Sequence, residues 1–299
     1  VTIVLTLARV RNRTRAVLAR LGRGLARLDA VPSDVGATTP TSDEHRLNER
    51  YVESPPSVEN AVALFDGEWS TKLPVETPTG FADLIDDHRI TSCVDALGGV
   101  EGARVLELGP LEGAHSATLR SLGAASVVAI EANTGAFLRC LVTKEILGLD
   151  GVEFRLGDFR PFLADCDERF DLAVAVGVLY HLDDPVPVLA NLARLTDRMI
   201  VWSHVFDDDA GMERFAARFD PPETRDFDGI DYRLHPYRYE ESLDWEGFSG
   251  GTRPIARWIE RGDLLEIVDR LGFDVVLRDD HDHPHGPAMT LALQRRPEG

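Results

Sequence analysis

The sequence predicts an α/β fold: a mostly parallel sheet with helices on both faces, interrupted by an insertion after the fifth strand. Three observations predict it. From residue 104 onward short apolar runs alternate with helix-like stretches, the pattern of repeated β-α units joined by right-handed crossovers. The first run ends in a glycine turn, Gly109-Pro-Leu-Glu-Gly113, that leads into a helix, the geometry that sets backbone N–H groups beside a ligand. Three of the first four runs end in an acid, Glu107, Glu131 and Asp158, and the fourth ends in Gly177. In such sheets ligands sit at the C-terminal ends of the strands.

Taken in order, Val105, Leu106 and Leu108 suit a strand buried on both faces. Glu107 within it needs a partner, because an unpaired buried carboxylate is costly; an arginine or a cationic amine of a ligand would serve. Ala114 to Leu122 reads as a helix closed by Gly123. Ser126 to Glu131 is the second strand, and an acid at its tip is placed to take both hydroxyls of a ribose. The third strand, Val152 to Leu156, ends in Gly157-Asp158-Phe159. The fourth, Phe170 to Val176, ends in Gly177-Val178. Helices are expected near 135–147, 161–166 and 185–195, with Arg198 to Val205 as the fifth strand.

Residues 206–261 break the alternation. They are dense in aromatic residues, among them Phe206, Phe215, Phe219, Tyr237, Tyr239, Trp245, Phe248 and Trp258, with no clear period. An insertion of this length beside the strand tips reads as a substrate cap whose aromatics mostly form a small core of its own. Asp263-Leu-Leu-Glu266 resembles a capping box that opens a last helix, closed by Gly272. Phe273 to Leu277 and Met289 to Gln294 are the last two strands.

These residues together resemble the class I S-adenosylmethionine (SAM)-dependent methyltransferases, motif by motif over about 100–205 and by pattern over 262–295. The resemblance implies a Rossmann-like, seven-stranded, mostly parallel sheet whose last two strands form an antiparallel hairpin. Its loop, Asp279 to Pro287, would lie at the ligand end. It also implies SAM as cofactor: Glu107, Gly109 and Gly113 around the methionine end, Glu131 on the ribose, Asp158 on the adenine amino group. Phe159 would stack on the adenine, and Gly177 would line the same site. Leu111 stands where the family has its middle glycine, so it must point away from the ligand or narrow the site. Gly177-Val-Leu-Tyr-His-Leu-Asp-Asp-Pro185 is in addition similar to the tRNA wobble-uridine (5-carboxymethoxyuridine) methyltransferase group.

Composition narrows the reading. The chain has 299 residues, 43% of them hydrophobic, and a net charge of −19 with only two lysines against 51 acids. Such a surface repels polyanions at long range, which weighs against bulk nucleic-acid binding. No apolar run approaches the ~20 residues of a membrane helix, and no signal peptide is expected. Three scattered cysteines, Cys93, Cys140 and Cys166, suit a reducing cytoplasm. Residues 1–45 are expected to be a basic amphipathic helix and linker: seven arginines precede residue 30, and Leu18, Leu21, Leu25 and Leu28 share a helical face. Docking on the acidic body, a membrane-surface anchor and contact with an anionic substrate are its three readings. Residues 46–99 form a helical lead-in, 100–205 the cofactor-binding core, 206–261 the cap, and 262–299 the final helix and hairpin. In the lead-in, Ser57 is expected to cap a helix, and Trp69 to plug the domain edge rather than cover the cofactor.

For catalysis, methyl transfer needs the acceptor held in line with the methyl carbon in a dry pocket, and a hydroxyl acceptor also calls for a general base. His181, beside Tyr180 after strand four, is the first candidate, with Tyr180 shaping the pocket. His204, at the end of strand five, is the second. His281, His283 and His285 alternate with acids in the hairpin; polar turn chemistry explains them without a metal, and no metal site is expected. The expected function is methyl transfer from SAM to the hydroxyl of a small, sugar-like or natural-product acceptor. The alternatives are a tRNA wobble-uridine methyltransferase and a non-catalytic SAM-binding protein. A nicotinamide-dependent enzyme is disfavoured, because the turn lacks the Gly-x-Gly-x-x-Gly spacing. Oligomeric state is not readable from the sequence.

Overall fold

The computed structural model describes residues 52–207, 212–244, 250–251 and 253–297. The chain divides into two units, Val1–Pro55 and Pro56–Gly299. The Arg-rich helix and linker expected over 1–45 lie outside the described residues, and every described helix and strand belongs to the second unit.

The lead-in holds α1 (Val58–Val62) and α2 (His88–Ala96). Ser57 caps α1 by accepting from the Asn60 N–H, and Asp87 caps α2 by accepting from the Arg89 N–H at 2.9 Å, each satisfying a donor that the first helical turn leaves unpaired. Trp69 is buried, and its indole N–H donates to the Val62 carbonyl at 2.9 Å. It packs with Phe65 and Leu73. Lys72 is exposed and paired with Asp83.

The core then runs β1 (Arg104–Leu108), α3 (Ala114–Ser121), β2 (Ser126–Glu131), α4 (Thr134–Leu147), β3 (Val152–Leu156), α5 (Phe159–Asp165), β4 (Leu172–Val176), α6 (Val186–Leu195) and β5 (Arg198–His204). These five strands are mutually parallel. The insertion contributes β6 (Glu223–Phe227), β7 (Ile230–Arg238) and β8 (Ile255–Ile259). After it come α7 (Arg261–Arg270), β9 (Phe273–His283) and β10 (Gly286–Arg295), and β10 pairs antiparallel with both β5 and β9. The order of the main sheet is β3-β2-β1-β4-β5-β10-β9. The strand order switches direction between β1 and β4, which opens a crevice at their C-terminal ends. β4 is buried at every residue. Apolar clusters on the two faces, one around Leu106, Leu189 and Phe273, the other around Val105, Val127 and Val174, exclude water from both sides.

The three inserted strands form a second, antiparallel sheet in the order β6-β7-β8. Tyr237, Tyr239, Trp258 and Met212 make its own apolar cluster, with Phe206, Phe215 and Phe219 packed against it. Trp245 and Phe248 lie outside the described residues. In β7 exposed and buried residues alternate as far as Leu234, but Leu234 to Tyr237 are all buried, so the period-two pattern stops halfway along the strand.

Three local expectations need correction. The last helix begins at Arg261 behind Glu260, not at the Asp263 capping box; Asp263 lies in its first turn and accepts from the Arg233 N–H of β7 at 2.6 Å. Strand β9 does not end at Leu277 but runs to His283, so the expected loop shrinks to the turn at Pro284 and His285. The alternating His-Asp residues are therefore a strand pattern, with successive side chains on opposite faces. The helix expected over 161–166 starts at Phe159, because the Asp158 carboxylate caps it through the Arg160 N–H at 2.8 Å.

Candidate active site

A cavity of about 700 Å³ occupies the crevice over the tips of β1, β2, β3 and β4, within the size range of small-molecule sites. Gly109, Leu111, Glu131, Asp158, Phe159, Gly177, Tyr180 and His181 all line it. Glu107, Gly113 and His204 do not.

The turn after β1 needs its glycines for space as well as backbone freedom. Gly109 has φ +63°, and a Cβ there would meet Val178 Cγ1 at 2.4 Å. Gly113 has φ +81°, and a Cβ would meet the Phe154 ring at 2.8 Å. Leu111 lies between them with φ +56°, the left-handed region that glycine enters without steric cost. The turn thus keeps a glycine-like path with a leucine in it, and Leu111 forms part of the cavity wall.

Glu131 ties the turn to β2. Its carboxylate accepts from the Leu111 N–H at 3.1 Å and the Asn133 N–H at 2.8 Å. Burial raises its pKa, against those same backbone hydrogen bonds. The Asp158 carboxylate is held by the Arg160 guanidinium at 2.6 Å, and that hydrogen bond lowers its pKa. Both Asp158 and Arg160 face the cavity.

Glu107 sits beneath the turn, 1% exposed, and accepts from Ser116 Oγ. Burial raises its pKa. It starts a polar chain that sequence reasoning missed. His115 Nδ1 lies 4.0 Å from Glu107, and His115 Nε2 lies 3.1 Å from Asp87. Asp87 also takes the Arg89 guanidinium through Nε and Nη2, and Arg89 stacks over Trp202 at 4.7 Å. Burial pushes the Asp87 carboxyl up, but His115 and Arg89 outweigh it and hold it far below the usual carboxylate range. Arg89, His115 and Trp202 line the cavity. A sequence signal that could have pointed to this chain is Asp87 just ahead of α2, since an acid is favoured as a helix cap. Glu112 was missed too. Fully buried, it accepts from the Ser70 and Thr71 N–H groups, the latter at 2.7 Å, and pairs with Arg139 at 3.0 Å.

After β4 a 3-10 turn, Leu179–His181, presents Tyr180 and His181 to the cavity. His181 Nδ1 lies 2.5 Å from the Tyr239 hydroxyl. Burial pulls the His181 pKa down to about 3 and pushes Tyr180 up to about 12, so both stay neutral at ordinary pH. His204 lies one layer back. Its Nδ1 donates to the Gly286 carbonyl at 3.1 Å, and its ring stacks on Trp258 at 4.8 Å. The strand carries His204 past the cavity wall, and Trp202 of the same strand takes that wall instead.

Asp183 and Asp184, which follow His181, hold the inserted sheet. Asp183 pairs with Arg253 and Arg257, and Asp184 with Arg225 at 2.7 Å and the Tyr232 hydroxyl at 2.8 Å. This part of the stretch that resembles the tRNA-uridine group is thus engaged in packing. Among the described residues, no group of three or more His, Cys, Asp or Glu is placed to hold a metal, and no helix is long and apolar enough to cross a membrane.

Comparison with known proteins bears on this site. Residues 106–198 match the methyltransferase domain family. No curated protein sequence matches the chain. Among solved structures, the N-terminal domain of EvdMO1, crystallised with S-adenosylhomocysteine (SAH) and D-fucose, is similar at 22% identity and a TM-score of 0.59, over 80% of this chain and 95% of that one. Magnesium protoporphyrin IX methyltransferase from Synechocystis PCC 6803, with bound SAH, is similar at 18% identity and a TM-score of 0.50, over 74% and 90%. A sarcosine dimethylglycine methyltransferase described as putative, from Galdieria sulphuraria, is similar at 12% identity and a TM-score of 0.51, over 70% and 85%. The matched domain, the sheet order and the glycine turn under an acid-tipped second strand together give this chain a methyltransferase domain over residues 106–198, on the class I SAM-dependent methyltransferase fold.

Proposed function

We propose that the enzyme methylates a hydroxyl group of a small, sugar-like or natural-product acceptor. The observation that carries this reading is the cavity itself. It is continuous from the glycine turn and Glu131 to Tyr180, His181 and Trp202, with room for a cofactor and a small acceptor side by side. The chain's residues suit the cofactor: Gly109 lines the cavity with bare backbone, packed too closely on Val178 to carry a Cβ, Glu131 offers a buried carboxylate at the tip of β2, and Asp158 with Phe159 stands at the tip of β3. Glu107 and Gly113 support the turn from behind. When bound, SAM supplies a methyl group on a sulfonium, and in the transfer the acceptor oxygen gains a C–O bond while the C–S bond electrons stay on sulfur.

The chain's own part is to bind, orient and dry the pair. Tyr180 and Trp202 wall the acceptor side. His181, neutral at ordinary pH, takes the acceptor's proton in this reading. The likeness to the N-terminal domain of EvdMO1, crystallised in the presence of SAH and D-fucose, supports a sugar-like acceptor. The acidic surface, at a net charge of −19, favours a small acceptor over a polyanion.

Titration with SAH by calorimetry, followed by a labelled-methyl screen of hydroxylated acceptors including D-fucose, tests the reading. Micromolar SAH binding and label on a small hydroxyl compound are expected. Label on transfer RNA instead, or no SAH binding, would overturn it.

A further inference from the structure

The insertion lines the cavity with Gly250, Gly251 and Arg253, and it meets His181 through Tyr239. Tyr239 follows β7, and its backbone N–H is fixed to the Pro254 carbonyl at 3.1 Å. Its ring is 5% exposed and set edge-on to Tyr237 at 5.8 Å. Its hydroxyl lies 2.5 Å from His181 Nδ1, across 58 residues of sequence. On the other side, the Tyr180 ring lies 4.0 Å from the His181 ring. The imidazole is therefore held at both its plane and one nitrogen. Nε2 makes no hydrogen bond among the described residues, so it is the nitrogen left to serve the cavity.

A neutral imidazole carries one proton, and the partner of one nitrogen decides the state of the other. For Nε2 to take a proton, Nδ1 must carry the N–H, and that N–H needs an acceptor. We propose that Tyr239 is a positioning residue that accepts the Nδ1–H of His181 and so holds the Nε2 lone pair toward the acceptor hydroxyl. This rests on the hydroxyl-acceptor reading above. As the oxygen forms its bond to the methyl carbon, its O–H proton passes to Nε2. The positive charge lost at sulfur reappears on the imidazolium, which the phenol oxygen then stabilises. A phenol suits the task. Burial pushes the Tyr239 hydroxyl far up, so it stays uncharged and leaves the resting imidazole neutral, whereas a carboxylate at the same place would favour the imidazolium before reaction. The arrangement is the base-and-orienter logic of hydrolase triads with an uncharged orienter.

The test is nitrogen-15 NMR of histidine-labelled protein with SAH bound, the His181 signals being assigned by loss in His181→Gln. The expected result is the Nδ1–H tautomer in the wild type. Tyr239→Phe keeps the ring and removes the hydroxyl. It should move His181 toward the Nε2–H form and lower kcat about 10- to 100-fold, with KM and the SAH Kd held within about twofold. An Nε2–H tautomer in the wild type, or a Tyr239→Phe enzyme with unchanged tautomer and kcat, overturns the proposal. So does loss of SAH binding in Tyr239→Phe, which would mark the hydroxyl as structural. Failure of the wild type to bind SAH would instead overturn the methyl-transfer reading beneath it.

Discussion

The Leu111 backbone N–H donates to the Glu131 carboxylate at 3.1 Å, so the acid at the tip of β2 also fixes the turn after β1. Removing that carboxylate therefore loses the turn geometry and, in the proposed reading, a cofactor contact with it. Glu131→Ala should weaken SAH binding by about 100-fold or more, since each hydrogen bond to a charged group contributes about 1.5–3 kcal/mol. Glu131→Gln, which still accepts hydrogen bonds, should lose less. Calorimetry decides; unchanged affinity in Glu131→Ala would remove this residue from the site.

Leu111 holds a left-handed backbone at φ +56°, which costs a non-glycine residue about 1–2 kcal/mol. Leu111→Gly removes that cost but loosens the unfolded chain by about 0.5–1 kcal/mol. The two nearly cancel, so thermal denaturation should show a small change, with SAH binding kept. Leu111→Val should lower stability by about 1–2 kcal/mol, because branching at Cβ conflicts with positive φ. A Val variant as stable as the wild type would contradict the left-handed turn.

Glu112 joins three parts of the chain: its own turn, the Ser70–Thr71 backbone and Arg139. Its replacement leaves two backbone donors unmet and a buried guanidinium short of its partner. Glu112→Ala should cost about 3–5 kcal/mol in urea denaturation. A cost under about 1 kcal/mol would mean that water replaces the carboxylate there.

Two histidines, His204 buried and His181 half-buried at the cavity, set the acid side of stability. His204 and His181 titrate near 4 and near 3 in the fold, against 6.5 ordinarily, in both cases because burial disfavours the charged form. Below 6.5 the unfolded chain takes up protons that the folded chain refuses, so stability is full above that value and falls as pH drops toward 4. Asp87 acts lower: its folded pKa is depressed, so its contribution is present above 3.8 and is lost as pH falls below it. Melting temperatures from pH 8 down to pH 4 should fall most steeply below about 6.5, and His204→Gln should flatten that fall. An unchanged slope in His204→Gln would mean the imidazole is hydrated.

How much of the site the sequence displayed follows from chain separation. Glu131 and Asp158 were legible as cavity residues because each closes a local apolar run, and in such sheets the ends of the strands border the ligand crevice. Leu111 was legible only as a departure; that it adopts a glycine-like φ is a property of the folded turn. His115, Glu112 and Tyr239 gave no signal of their pairing, because the partners are distant in sequence: 28 residues separate Asp87 from His115, 41 separate Thr71 from Glu112, and 58 separate His181 from Tyr239. His204 reads in sequence as a match for His181, but strand register places Trp202 at the wall and His204 behind it.

The sequence by itself determined the alternation of strands and helices, the glycine turn, the acids at the strand tips and the place of the insertion, because each is written in local period and local backbone preference. Only the tertiary structure decided that β9 runs through the histidines, that the insertion is a three-stranded sheet, and which histidine meets the cavity. Those outcomes depend on hydrogen-bond partners far apart in the chain, and local pattern carries no record of which distant donor will meet which acceptor.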